Sequence, residues 1–151
     1  MGFAENTSVP VERSRAEIES LLSKYGADQF MSGWDKSMAV INFRCHDRYV
    51  RFLLPLPDRE EFINPPVRTG RRRTQAQIDD NWQQEMRRRW RAMALVIKAK
   101  LEAVATGITS FEEEFLAHIV LPDGGTVGKF MMPQVETAYA TGKMPGLLPM
   151  P

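Results

Sequence analysis

The sequence predicts an α+β fold: a three-stranded antiparallel meander packed on a long amphipathic helix, with an N-terminal helix and a small C-terminal helix–hairpin–helix region. Three observations predict it. The stretch from Thr74 to Thr106 holds neither Pro nor Gly and repeats its apolar residues at steps of three and four. From Gln29 to Pro57 the apolar residues alternate instead, in β-branched and aromatic runs parted by polar turns. After Gly107, short capping and turn signals follow one another closely.

The long helix comes first because it carries most of the charge. At roughly 100° per residue, Ile78, Trp82, Met86, Trp90, Met93, Val96, Ile97, Leu101 and Val104 gather on one side. Thr74 suits the N-cap, and Gly107 suits the left-handed position past the end. Arg73, Arg87, Arg88, Arg91 and Lys98 fall opposite the apolar stripe. Arg89 and Lys100 fall on the apolar side. Arg89 can pair with Glu85, four residues earlier, or stack on Trp82, and Lys100 can snorkel.

In chain order, residues 1–13 read as an extended lead containing Pro10. Ser14-Arg15-Ala16-Glu17 has the capping-box pattern, starting a helix that runs to Tyr25, buries Ile18, Leu21, Leu22 and Tyr25, and stops at Gly26. Strands are expected at about 29–34, 37–45 and 49–55, the last two joined through His46-Asp47. Pro55 and Pro57 place the end of the third strand at an edge. Residues 58–73 read as a basic loop, closing on Arg71-Arg72-Arg73. Ser110 caps a short helix with Glu112, Glu113 and Glu114 in its first turn, ending near His118. Ile119–Leu121 and Val127–Met131 read as a small hairpin around Asp123-Gly124-Gly125, and Gln134–Thr141 as a last helix. Residues 144–151 form a Pro-rich, uncharged tail. The whole, 1–151, reads as a single domain.

Charge is segregated. Residues 68–100 hold ten Lys/Arg against three Asp/Glu, while residues 101–151 hold two against six. The single cysteine, Cys45, excludes an intrachain disulfide and fits a reducing compartment. The N-terminus has no apolar signal core, and no apolar run reaches membrane-spanning length. A cytoplasmic protein with no membrane partner is expected.

Little points to chemistry. His46 and His118 are far apart, and no CxxC, HxH or HExxH spacing exists, so no metal or cofactor is expected. There is no Gly-x-Ser-x-Gly elbow, and Cys45 reads as a small buried sheet residue rather than a nucleophile. The glutamate run reads as a solvated first turn, so no catalytic residue is assigned. The arginines are the one functional signal. Arg binds phosphate bidentately, and Arg68, Arg71, Arg72, Arg73, Arg87, Arg88, Arg91 and Lys98 form the candidate nucleic-acid-binding set, for DNA or RNA. The competing expectation is internal, with this face packed on the acidic C-terminal third.

Five runs also carry a resemblance. They are Ser14–Glu19, Tyr25-Gly26-Ala27, Val50–Pro55, Ile97–Glu102, and Phe111–Leu116 through Leu121-Pro122-Asp123-Gly124. Together they look like a family of small proteins encoded in tailed-phage and prophage genomes, across roughly residues 9 to 149. The resemblance brings no catalytic residues. It implies a bacterial host cytoplasm and an accessory role in host takeover, DNA metabolism or particle structure. Within that role the expected function is non-enzymatic nucleic-acid binding. The alternative is an adaptor or inhibitor whose arginines meet an acidic host or phage protein, with a homo-oligomer as a further form.

Overall fold

The computed structural model describes residues 2–63 and 73–144, with the side chains of 2–10 outside that description. It is α+β. Helix α1 (Gly2–Lys24) leads into strands β1 (Gln29–Trp34), β2 (Met38–Cys45) and β3 (Arg48–Pro55). A single 3-10 turn, Arg59–Phe62, precedes the long helix α2 (Gln75–Ala105). Helix α3 (Phe111–Phe115), a 3-10 turn (Leu116–His118) and α4 (Val127–Thr141) complete the described chain.

The sheet is an open antiparallel meander in the order β1-β2-β3. Its second turn is two residues, His46 and Asp47, with φ of 52° and 60°. Positive φ at both central positions matches the right-handed twist of the strands they join. In the first turn Asp35 takes the N–H groups of Ser37 (2.8 Å) and Met38 (2.9 Å) on its carboxylate, which holds its pKa below the usual carboxylate value. Ala39, Ile41, Phe43 and Cys45 of β2 share the inner face with Val50, Phe52 and Leu54 of β3, and all are buried. Cys45 is therefore the buried sheet residue expected of it, and burial pushes its thiol pKa up.

α2 has the expected ends. The Thr74 hydroxyl accepts from Gln77 N–H (3.1 Å), and Gln77 Oε1 accepts from Thr74 N–H (2.9 Å), a complete capping box. Past the C-terminus, Gly107 at φ +80° lets the N–H groups of Gly107 and Ile108 close on the carbonyls of Val104 and Ala103. Ile78, Met86, Trp90, Ala94, Ile97 and Leu101 are buried. All but Ile78 share one core cluster with the inner sheet face and with Ile18 and Leu22 of α1.

Several expectations are corrected. Residues 1–13 are not an extended lead: α1 already runs from Gly2, so Ser14 is interior and caps nothing. Ser inside a helix costs well under about 1 kcal/mol relative to Ala, and the neighbouring Ala, Glu and Arg residues are good helix formers. Val96 leaves the apolar face and is exposed, because the buried positions centre nearer Trp90 and Ala94 than the wheel suggested. α2 packs on the inner sheet face as expected, but not alone. Its most extensive backbone neighbour is α1, and the two helices form one layer over the inner sheet face. The basic loop is not wholly irregular: Asp58 accepts from Glu60 N–H (3.1 Å) and starts the Arg59–Phe62 turn.

The C-terminal region departs furthest. Val127–Met131 is no return strand. Thr126 takes Lys129 N–H on its hydroxyl (3.2 Å), and α4 starts there rather than at Gln134. Pro133 is tolerated inside it at the loss of one backbone hydrogen bond. What remains of the hairpin is a bridge between Val120 and Thr126 around the turn at Gly124, and a bridge joining Ile119 to Val50.

Candidate nucleic-acid interface

α2 sets the candidate residues in a line. Arg88, Arg91, Leu95, Lys98 and Glu102 follow at steps of three and four, all exposed. At about 1.5 Å per residue, Arg88 and Lys98 stand roughly 15 Å apart along the axis. Arg88 is held at 3.0 Å by Glu85 within the same helix. Among the described residues, Arg87, Arg91 and Lys98 have no ion pair. Arg87 is half-buried, so it contributes less to the outer face than the sequence suggested.

The face is not purely cationic. Ala92, Leu95, Val96 and Ala99 are all exposed among the charges, with Leu95 at 60%. Periodicity assigned Val96 to the core and left Leu95 unplaced; sequence alone had no signal that the outer face would be this apolar.

Arg73 sits apart from the line. It is half-buried and donates to the Phe62 carbonyl (3.1 Å), which ties the end of the 3-10 turn to the start of α2. Arg59 reinforces the same junction through Asp79 (2.6 Å) and Gln75 (2.6 Å). Arg68, Arg71 and Arg72 lie outside the described residues. The structure therefore brings Arg88, Arg91 and Lys98 together, with Arg87 at their border.

The internal alternative meets one strong contact. Lys100 donates to the Glu114 carbonyl (3.1 Å) and pairs with its carboxylate (3.2 Å). Arg48 of β3 takes Glu112 (3.5 Å). Neither belongs to the candidate set. Arg89 behaves as its position on the wheel implied, pairing with Glu85 (3.1 Å) and donating to the Pro55 carbonyl (2.9 Å).

No cluster of His, Cys, Asp and Glu able to hold a metal ion occurs among the described residues. No helix among them is long and apolar enough to cross a membrane. His46 and His118 do not meet as a pair: His46 packs on Phe111 (4.8 Å between ring centres) and His118 stacks on Phe52 (4.1 Å). Comparison with family models, curated proteins and solved structures gave no match.

Proposed function

We propose that this chain is a non-enzymatic phage or prophage accessory protein that binds nucleic acid through the outer face of α2. The observation that carries the reading is the row Arg88, Arg91 and Lys98. Arg91 and Lys98 are exposed and make no ion pair among the described residues, although Glu102 stands one turn beyond Lys98 on the same line, so their charge is available to phosphate. Three phosphate contacts make a weak, salt-sensitive site. The log–log dependence of affinity on salt has a slope of about −2.7 on duplex for three contacts, and about −5.4 if Arg68, Arg71 and Arg72 add three more.

The test is retention of single- and double-stranded DNA and of RNA, at low and moderate salt, by the wild type and by a variant carrying Arg88→Glu, Arg91→Glu and Lys98→Glu. Expected are salt-dependent retention by the wild type and none by the folded variant. Absence of wild-type retention on every nucleic acid at low salt refutes the reading.

A second reading, a protein adaptor, is favoured by α4. None of its residues is buried, and on a helix with only Lys129 and Glu136 charged, Met132, Val135 and Tyr139 are exposed on one side and Phe130 on the other. Exposed apolar area of this kind marks a protein contact more often than a nucleic-acid one. An acidic partner protein held there and on the arginines would lose affinity when Val135→Ser and Tyr139→Ser are combined. Nucleic-acid retention would be untouched by that change.

A further inference from the structure

We infer that β1 is a self-pairing edge, and that two copies of this chain join β1 to β1 in antiparallel fashion to make one six-stranded sheet. The inference is independent of the nucleic-acid reading. It starts from the alternation of ladder hydrogen bonds. Asp35 N–H bonds Met38 and Leu56 N–H bonds Ser37, which fixes the parity of both ladders. Odd-numbered residues of β1 therefore bond to β2. The N–H and C=O groups of Phe30, Ser32 and Trp34 point the other way, out of the sheet.

The two edges of the sheet differ. On β3 the outward carbonyl of Tyr49 is taken by Val120 N–H (2.8 Å), and Ile119 bridges Val50. On β1 no strand other than β2 pairs among the described residues. Edges are normally blunted by charge or proline. Gln29–Trp34 has neither, and it exposes Met31 at 65% and Trp34 at 78%.

A second copy fits this edge better than an arbitrary strand, because the strand complements itself. Take a two-fold axis through Ser32. The outward groups of Phe30, Ser32 and Trp34 then meet Trp34, Ser32 and Phe30 of the partner subunit as hydrogen-bonded pairs, the parity the edge requires. The same register sets Phe30 opposite the partner's Trp34, an aromatic cross-strand pair. It sets Met31 opposite the partner's Gly33, a large side chain beside an absent one. Beyond both ends of the new ladder Asp28 of one copy comes next to Lys36 of the other, opposite charges flanking the paired strands, with the Asp28 N–H itself turned inward to the Arg44 carbonyl (3.0 Å). Asp28 holds Arg44 through Oδ2 (2.5 Å), leaving Oδ1 for the lysine. Near the axis Arg15 donates to Ser32 Oγ (2.5 Å) and is itself paired with Glu12 (3.4 Å), so each subunit brings a neutral pair there rather than a bare charge.

The test is molecular mass in solution over a wide concentration range, with amide hydrogen exchange at both ends of that range. The wild type should show twice the monomer mass at high concentration, and Phe30, Ser32 and Trp34 amides should gain protection with it. Ser32→Pro removes an outward N–H that β2 does not use and should give a folded monomer. Lys36→Glu lies outside the ladder, sets like charges next to each other beyond both ends, and should raise the dissociation constant on the order of tenfold or more. Combining Lys36→Glu with Asp28→Lys should restore pairing. A wild type that stays monomeric throughout overturns the inference and leaves the edge to a foreign strand. A dimer that survives both Ser32→Pro and Lys36→Glu overturns it too, and assigns association to another face such as α4.

Discussion

Lys100 and Glu114 tie the long helix to the short one that follows it. The Lys100 ammonium lies 3.2 Å from the Glu114 carboxylate, 3.1 Å from its backbone oxygen and 5.8 Å from the centre of the Phe115 ring. Both side chains are about three-quarters covered. Phe115 in turn packs edge-on against Phe43 (5.9 Å) and Phe52 (6.1 Å), so the pair sits on the rim of the aromatic core. Lys100→Met should cost roughly 1–3 kcal/mol, since it leaves a half-buried carboxylate without its cation. Lys98→Met, two residues away on the exposed face, should change stability by less than about 0.5 kcal/mol. Urea unfolding of the two variants checks the contrast. Equal losses would mean the Lys100 contact contributes nothing.

The buried side of α2 makes the next prediction. Trp90 is almost wholly buried in the cluster that holds Ile41, Phe43, Phe52 and Leu54. Trp90→Ala should cost about 3–5 kcal/mol. Trp82 is only partly buried, though its Nε1 donates to the Pro57 carbonyl (2.8 Å), so Trp82→Ala should cost less. Arg89→Glu should be worse than the exposed charge reversals. It sets two carboxylates four residues apart and abandons the Pro55 carbonyl, a loss of roughly 2 kcal/mol by the usual figures for charged hydrogen bonds. Chemical denaturation ranks the three, and an Arg89→Glu protein as stable as Arg91→Glu would remove any structural role for Arg89.

Much of this was legible in the sequence, and the parts that were not share a cause. The strands matched to within a residue or so because alternation, β-branched content and the polar turns Asp35-Lys36 and His46-Asp47 all agree. α2 matched at both ends because Thr74, Gln77 and Gly107 are local signals. Tertiary context decided the rest. Val127–Met131 is β-like in composition, yet Thr126 capping and a close approach to Ala117 make it helical. Val96 reads as a core residue by period, and only the placement of α1 beside α2 shows it exposed, next to an equally exposed Leu95. The unblunted edge of β1 depends on which strand lies beside it, which no local pattern records. Of the candidate site, the row Arg88, Arg91 and Lys98 was legible from period alone. The diversion of Arg73 to the Phe62 carbonyl was not.

Gly128 tests how α4 is seated. A Cβ there would stand 2.8 Å from the Ala117 carbonyl oxygen, a backbone atom that cannot swing aside. Gly→Ala inside a helix normally stabilises by about 1 kcal/mol; here the clash reverses the sign. Because α4 buries no residue, Gly128→Ala should detach it before the core unfolds. Amide exchange across 127–141 should speed up while the global unfolding midpoint moves little. Gly125→Ala is the control, since its Cβ would meet only the Asp123 carboxylate oxygens, at 3.5 and 3.9 Å, an ordinary contact. Unchanged exchange in α4 would show that the helix is held by something other than its approach to Ala117.

His118 gives the fold a pH dependence. Its ring stacks on Phe52 at 4.1 Å, and burial pushes its pKa below 6.5, with the nearby Lys100 charge adding to the effect; a backbone hydrogen bond with Arg51 opposes both. The charged form is thus disfavoured in the folded state. Between the lowered folded value and the unfolded value of about 6.5, the unfolded chain binds more protons than the folded one, so stability rises with pH there. The contribution of neutral His118 is fully present above about pH 6.5 and falls away as pH drops through the folded value. Urea midpoints taken downward from neutral pH should therefore decline before the carboxylates begin to titrate, and His118→Phe, which keeps a ring against Phe52, should remove that decline. Lys100→Met should weaken the decline without abolishing it, because burial is the larger cause. A His118→Phe protein with the same acid slope as the wild type would place the titrating group elsewhere.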